Sequence, residues 1–141
     1  MNKISIIVPC YNEDAALPIY YKEMCKIMAQ MKEAEFELIF VDDGSTDHTL
    51  AEMKTLHEKD ERCQYFSFSR NFGKEAAIYA GLKNATGDYA AIMDVDLQDP
   101  PSLLPKMYEI LQTEDYDSVA TRRSTRSGAV SYTHLTLPTI A

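Results

Sequence analysis

Apolar and polar positions along this chain switch repeatedly between a period of two and a period near 3.6. Ile4 to Val8 is a short β-branched apolar run closed by Pro9, which predicts a buried strand followed by the loop Pro9-Cys10-Tyr11-Asn12-Glu13. From Asp14 onward Leu17, Tyr20, Tyr21, Met24, Cys25, Met28 and Met31 recur at helical spacing among Lys22, Glu23, Lys26 and Gln30. That spacing predicts an amphipathic helix, with Pro18 tolerated in its first turn. Phe36 to Val41 predicts a second strand, running into Asp42-Asp43-Gly44-Ser45-Thr46-Asp47. Ser45 or Thr46 is the expected cap of a helix that carries Leu50, Met53 and Leu56 on one face and ends near Lys59. Cys63 to Phe68 alternates and predicts a third strand, Lys74 to Asn84 an Ala-rich helix, and Tyr89 to Met93 a fourth strand. Pro100 and Pro101 open a helix through Leu111, and Ser118 to Ala120 predicts a fifth strand.

Strands alternating with helices predict an α/β fold with a mostly parallel sheet and helices on both faces. Such sheets bind ligands outside the carboxyl ends of their strands. The polar loops after the first four strands emerge at that edge and are expected to share one crevice. The last stretch breaks the pattern: Val130 to Thr139 has neither periodicity nor charge and reads as the in-frame translation of a sequencing adapter. Residues 130–141 are therefore expected to be a non-native tail. The native protein is expected to continue beyond about Ala129, leaving the fold incomplete at its C-terminus.

Composition narrows the function classes. A chain of 141 residues, 45% hydrophobic and 26% charged, is ordinary globular material. Its net charge of −8 excludes a general nucleic-acid binder, which would show a basic face. A phosphate-bearing substrate is compatible with that charge, because a bound metal ion inverts the local field. Cys10, Cys25 and Cys63 have no ligand-like spacing and read as reduced filler in a cytosolic setting. Nothing approaches the ~20 apolar residues of a membrane span, and no signal peptide opens the chain, so it is expected to be soluble or peripheral.

Candidate chemistry sits in the loops. Asp94-Val95-Asp96-Leu97-Gln98-Asp99 follows a buried strand. Two carboxylates one residue apart at a strand end can approach one hard cation, and oxygen ligands suit Mg²⁺ or Mn²⁺ with phosphate oxygens completing the shell. The Gln98 amide oxygen is a further candidate ligand. Such an ion would neutralise a departing diphosphate. Asp42 and Asp43 end another buried strand, where a carboxylate can accept from a base or a ribose hydroxyl. Ser45 and Asp47 read instead as turn and cap residues. Tyr11 could stack on a base, while Asn12 and Glu13 could meet base or ribose edges. Arg70 and Lys74 bring positive charge to the same edge, where a phosphate at the following helix N-terminus is possible. Arg122-Arg123-Ser124-Thr125-Arg126 is the one basic cluster and could bind an anionic acceptor through bidentate contacts. His48, His57 and His134 form no site.

Together these segments resemble glycosyltransferase family 2, with a GT-A (Rossmann-like) fold. The loop Pro9 to Glu13, the turn Val41 to Asp47 and the segment Asp94 to Asp99 fall in the family's order and approximate spacing. Ser69 to Ala77 and Asp94 to Pro101 look like the polyprenyl-phosphate branch, which includes dolichyl-phosphate mannose synthases and undecaprenyl-phosphate glycosyltransferases. The resemblance implies that residues 1–129 are the nucleotide-sugar-binding part of an inverting glycosyltransferase. Asp94, Asp96 and Gln98 would hold Mg²⁺ or Mn²⁺, Pro9, Tyr11, Glu13 and one of Asp42 or Asp43 would hold the nucleoside, and Asn12, Lys74 and Asp94 would complete the nucleotide-binding set. Asp94, Asp96 and Arg122 would serve catalysis, Arg122 on the acceptor phosphate. The donor would be a UDP- or GDP-linked sugar, with UDP-glucose preferred by analogy, and the acceptor undecaprenyl or dolichyl phosphate. The full-length protein would work at the cytoplasmic face of the membrane, and this chain alone would be inactive. A glycan acceptor and a non-catalytic nucleotide-sugar-binding module are the alternatives. A phospho-acceptor signalling domain would need an Asp after the third strand and a Lys after the fifth, where Ser69-Arg70-Asn71 and Thr121-Arg122 stand instead.

Overall fold

The computed structural model of the chain describes residues 1–97, 100–113, 118–120 and 134–136. In chain order the elements are β1 (Asn2–Cys10), α1 (Ala16–Gln30), β2 (Ala34–Asp42), α2 (Thr49–Lys59), β3 (Cys63–Ser67), α3 (Lys74–Asn84), β4 (Tyr89–Ile92), a 3₁₀ turn (Pro101–Leu103), α4 (Leu104–Thr113), β5 (Ser118–Ala120) and β6 (His134–Thr136). They build one six-stranded sheet in the order β3-β2-β1-β4-β6-β5. The first four strands of that order are parallel, and β6 runs antiparallel to both its neighbours.

Alternation along β1 and β2 divides the core into two layers. Ile4, Ile6, Val8, Phe36, Leu38 and Phe40 face one side and pack with Leu17, Tyr20 and Met24 of α1, Met53 of α2 and Leu104 of α4. Ile39 and Val41 face the other side and pack on Ala77 of α3. Gly81 of α3 lets that helix settle on the sheet: a Cβ there would stand 2.4 Å from Ile7 Cγ2. Helices therefore cover both faces, as the alternation of strands and helices predicts.

Two helix starts differ from the sequence reading. The first helix starts at Ala16, because Asp14 is held in the preceding loop by Asp47 and His48. The second starts at Thr49 with no cap from Ser45 or Thr46; Asp47 Oδ1 instead accepts from Thr49 N at 2.9 Å. His134–Thr136, within the stretch expected to be a non-native tail, pairs as β6 between β4 and β5. Ladder hydrogen bonds join backbone groups, so a short extended segment of almost any sequence can fill such a position.

One buried polar network lies toward the amino ends of the strands, away from their carboxyl edge. Ser5 and Glu37 are register partners on β1 and β2, both buried, and the Ser5 hydroxyl donates to the Glu37 carboxylate. Thr86 adds its N–H at 2.6 Å and its hydroxyl at 2.9 Å, while Gly87 N donates to Ser5 Oγ. Burial pushes the Glu37 carboxyl up, but the hydrogen bonds from Ser5 and Thr86 outweigh it and hold the group below its ordinary value.

Candidate functional site

The strand order reverses between β1 and β4, with β2 and β3 on one side of β1 and β4 on the other. At such a switch point the loops diverge and leave a crevice at the carboxyl edge. A cleft of about 230 Å³ lies there, lined by Pro9, Cys10, Tyr11, Glu13, Asp43, Lys74, Asp94, Val95 and Asp96. The loops after β1, β2 and β4 contribute, and the segment after β3 contributes Lys74, the first residue of α3.

The β1–α1 and β2–α2 loops are fastened to each other by their polar side chains. Asn12 N donates to Ser45 Oγ at 2.9 Å, and Thr46 N donates back to Asn12 Oδ1 at 2.8 Å. Glu13 N donates to Thr49 Oγ1 at 2.8 Å and Asp14 N to Asp47 Oδ2 at 3.2 Å. Asn12 takes a positive φ of 53°, a conformation its short polar side chain tolerates. Its carboxamide oxygen thus serves the loop, and Asn12 is not among the residues lining the cleft.

The adjacent carboxylates at the end of β2, Asp42 and Asp43, are both buried. Asp42, 2% exposed, accepts from Ser45 N at 3.0 Å and Ser67 Oγ at 3.1 Å, and it lies outside the cleft lining. Asp43, 4% exposed, lines the cleft wall but spends its carboxylate on the β3–α3 loop. It accepts from Phe72 N at 2.8 Å, Gly73 N at 3.1 and 3.3 Å, and Asn71 Nδ2 at 3.2 Å. The same loop passes over Gly44, where φ is +72° and a Cβ would fall 2.2 Å from the Arg70 carbonyl carbon. The sequence does not single out Asn71 for this grip, since its partner lies 28 residues away. Arg70 stays outside the cleft lining, its guanidinium 4.2 Å over the Phe72 ring.

Asp94 and Asp96 reach the cleft from the end of β4, and Leu97 beyond them adopts a positive φ of 61°. That conformation is strained for a bulky side chain and is typical of backbone fixed at a functional turn. Lys74, at the start of α3, places Nζ 2.7 Å from Asp94 Oδ1. Burial raises the Glu13 carboxyl, and the nearby charges of Asp96, Asp47 and Asp94 raise it further. Burial likewise pushes the Cys10 thiol far above its ordinary value, so it lines the wall as an inert neutral group. Tyr11 is 46% exposed at the rim.

Of the residues singled out by sequence, Pro9, Tyr11, Glu13, Asp43, Lys74, Asp94 and Asp96 therefore meet around one space. Gln98 and Arg122 lie outside the described residues. The donor set fits a divalent cation: hard oxygens from Asp94 and Asp96, with mutual repulsion among the carboxylates that a cation would relieve. Among the described residues no three acidic, His or Cys side chains group as ligands. The remaining coordination positions would then fall to phosphate and water, the habit of Mg²⁺ sites.

An open, mostly parallel sheet with a carboxylate-rich crevice at its switch point defines a ligand-binding α/β domain of the doubly wound kind. Comparison with known proteins makes the class specific. The model of the family described as "Glycosyl transferase family 2" matches residues 5–139, and the chain belongs to that family. It is 44% identical over 125 residues to a prophage bactoprenol glucosyl transferase homolog of Escherichia coli (strain K12), covering 89% of this chain and 40% of the relative. It is 39% identical over 130 residues to the undecaprenyl-phosphate 4-deoxy-4-formamido-L-arabinose transferase of Proteus mirabilis, covering 89% and 38%. The chain thus spans about 40% of the length of the curated relatives it matches. Among solved structures, a mannosyltransferase from Pyrobaculum calidifontis in complex with GDP-Man and Mn²⁺ superposes with a TM-score of 0.73 at 23% identity, covering 86% of this chain and 36% of that one. Glucosyl-3-phosphoglycerate synthase from Mycobacterium tuberculosis in complex with UDP gives 0.70 at 20% identity, covering 97% and 57%. The fold is GT-A.

Proposed function

We propose that this chain is the donor-binding part of an inverting glycosyltransferase that moves a sugar from a UDP- or GDP-linked donor to a polyprenyl phosphate. The observation that carries the reading is the meeting of Tyr11, Glu13, Lys74, Asp94 and Asp96 around one cleft at the switch point. The relatives named for bactoprenol and undecaprenyl phosphate support the acceptor class. A fold neighbour solved with GDP-Man and Mn²⁺ supports a divalent cation. Residues 1–129 form the donor-binding part in this reading, and 130–141 are extraneous to it.

Asp94 and Asp96 would hold Mg²⁺ or Mn²⁺, with Gln98 as a further ligand, and the ion would supply charge neutralisation for the leaving nucleotide diphosphate. Tyr11 offers a ring face to the base, and Pro9 and Glu13 bound the nucleoside. Asp43 sets the loop that presents Lys74, and Asp42 sets the turn beneath it. Asn12 ties the two nucleoside-side loops together. Arg122 is assigned to the acceptor phosphate from its place in the sequence. The acceptor phosphate oxygen attacks the anomeric carbon in line, the glycosidic C–O bond breaks, and its electron pair departs with the nucleotide diphosphate. A phosphate acceptor is already anionic near neutral pH, so these side chains position and neutralise rather than abstract a proton. An acceptor of this kind places the reaction at the cytoplasmic face of a membrane. Among the described residues no helix is long and apolar enough to cross one.

The test is a thermal-shift panel of UDP and GDP with and without Mn²⁺. The expected outcome is a Mn²⁺-dependent rise in melting temperature with at least one nucleotide, abolished by Asp96→Ala. Stabilisation that ignores Mn²⁺ would instead indicate simple docking of the nucleotide.

A further inference from the structure

The ion pair in the cleft joins two residues that the proposed function would use differently. Lys74 Nζ stands 2.7 Å from Asp94 Oδ1, so a divalent cation held by Asp94 would share that carboxylate with the ammonium. A cation binds such an oxygen at about 2.1 Å, so ammonium and cation on one oxygen would lie within about 5 Å of each other. Two positive charges at that separation repel, so each weakens the other's hold on Asp94.

The two ends of Lys74 are held differently. Its backbone follows directly on Phe72 and Gly73, whose N–H groups the buried Asp43 carboxylate grips. Its side chain is 59% exposed, and a flexible stem of four methylenes leaves the ammonium free to turn about that fixed base. Among the described residues lining the cleft it is the one cation, beside Glu13, Asp43, Asp94 and Asp96.

We infer that Lys74 is a counter-ion that changes partners. It neutralises Asp94 until a divalent cation takes that oxygen, then carries its charge to the diphosphate of the donor. The inference rests on the donor-site reading given above. Its consequence is linkage: cation and Lys74 compete for Asp94 without nucleotide, and cooperate once a diphosphate can receive the ammonium.

The test is Mn²⁺ binding to the 141-residue chain, followed by the electron paramagnetic resonance signal of the free ion, with no nucleotide, with UDP and with GDP. Wild type is compared with Lys74→Met and Lys74→Gln, each first shown to be folded by circular dichroism. Without nucleotide both variants should bind Mn²⁺ about two- to fivefold tighter, the worth of one partly exposed ion pair. Both should also lose most of the tightening that a nucleoside diphosphate gives the wild type. An unchanged or weaker nucleotide-free affinity in both folded variants overturns the inference and leaves the donor site standing. No Mn²⁺ binding by any of the three proteins, even with UDP and GDP, overturns the donor-site reading and the inference with it.

Discussion

Replacing Asp43 by Asn exchanges one oxygen for an amino group and leaves the side-chain volume almost unchanged. In the folded chain both oxygens face donors, Phe72 N and Gly73 N on one side and Gly73 N and Asn71 Nδ2 on the other. Whichever way the new amide is turned, its NH₂ meets an N–H. The substitution removes a charge-assisted bond, worth about 1.5–3 kcal/mol, and strands a donor whose desolvation costs about 1–3 kcal/mol. The β3–α3 loop is only partly buried, so water relieves some of this, and a net loss of about 2–4 kcal/mol is expected for Asp43→Asn. For a domain of this size that lowers Tm by roughly 5–15 °C. Asp43→Ala should fall in the same range, since it too leaves the loop amides without their acceptor. Thermal and urea unfolding of both variants measure the effect. If Asp43→Asn stayed within about 0.5 kcal/mol of wild type while Asp43→Ala was destabilised, bulk rather than acceptor character would be holding the loop.

Two further outcomes follow from geometry and charge. Gly81→Ala drives a methyl group into Ile7 at 2.4 Å and should destabilise the chain by about 1–3 kcal/mol through displacement of α3, despite alanine's better helix propensity; a stabilised variant in urea unfolding would contradict this. In acid, Arg62 holds the Asp60 carboxyl well below the usual range, and the Ser5 and Thr86 bonds hold Glu37 below its ordinary value despite burial. Both groups contribute stability present above an unfolded pKa of about 4 and lost as pH falls through their folded values, while Glu13, raised by burial and its acidic neighbours, works in the opposite sense. Stability should therefore fall from pH 5 toward pH 2, with a shallower slope in Glu37→Gln; equal slopes in the two proteins would remove Glu37 from the account.

What the sequence disclosed depended on how local the signal was. The runs Ile4 to Val8 and Phe36 to Val41 lie inside strands whose β-branched and aromatic side chains fill both layers of the core, and α3 has the predicted bounds. Convergence of the loops followed from parallel strands alone. Direction of the side chains did not. Asp42 and Asp43 are adjacent acids at a strand end, yet whether they face the cleft or grip a loop depends on Ser67 and Asn71, which are 25 and 28 residues away. Glu37 is similarly opaque: one acid in an apolar strand gives no sign of partners at Ser5 and Thr86 until register places them. Ser45 and Thr46, good cap residues in isolation, do not cap α2 because they bond across the gap with Asn12.

That cross-loop fastening also bears on how such a site could evolve. The bonds between Asn12 and Ser45–Thr46, Glu13 and Thr49, and Asp14 and Asp47 use protein atoms alone, so these loops take their shape on folding rather than on meeting a nucleotide. A change at one strand of this seam leaves a stranded donor or acceptor on the other, which ties the two loops together as a single mutational unit. If the cleft takes a nucleotide as proposed, preference for a new base would be reached more readily through a rim position such as Tyr11, which makes none of these bonds, than by remodelling either loop on its own.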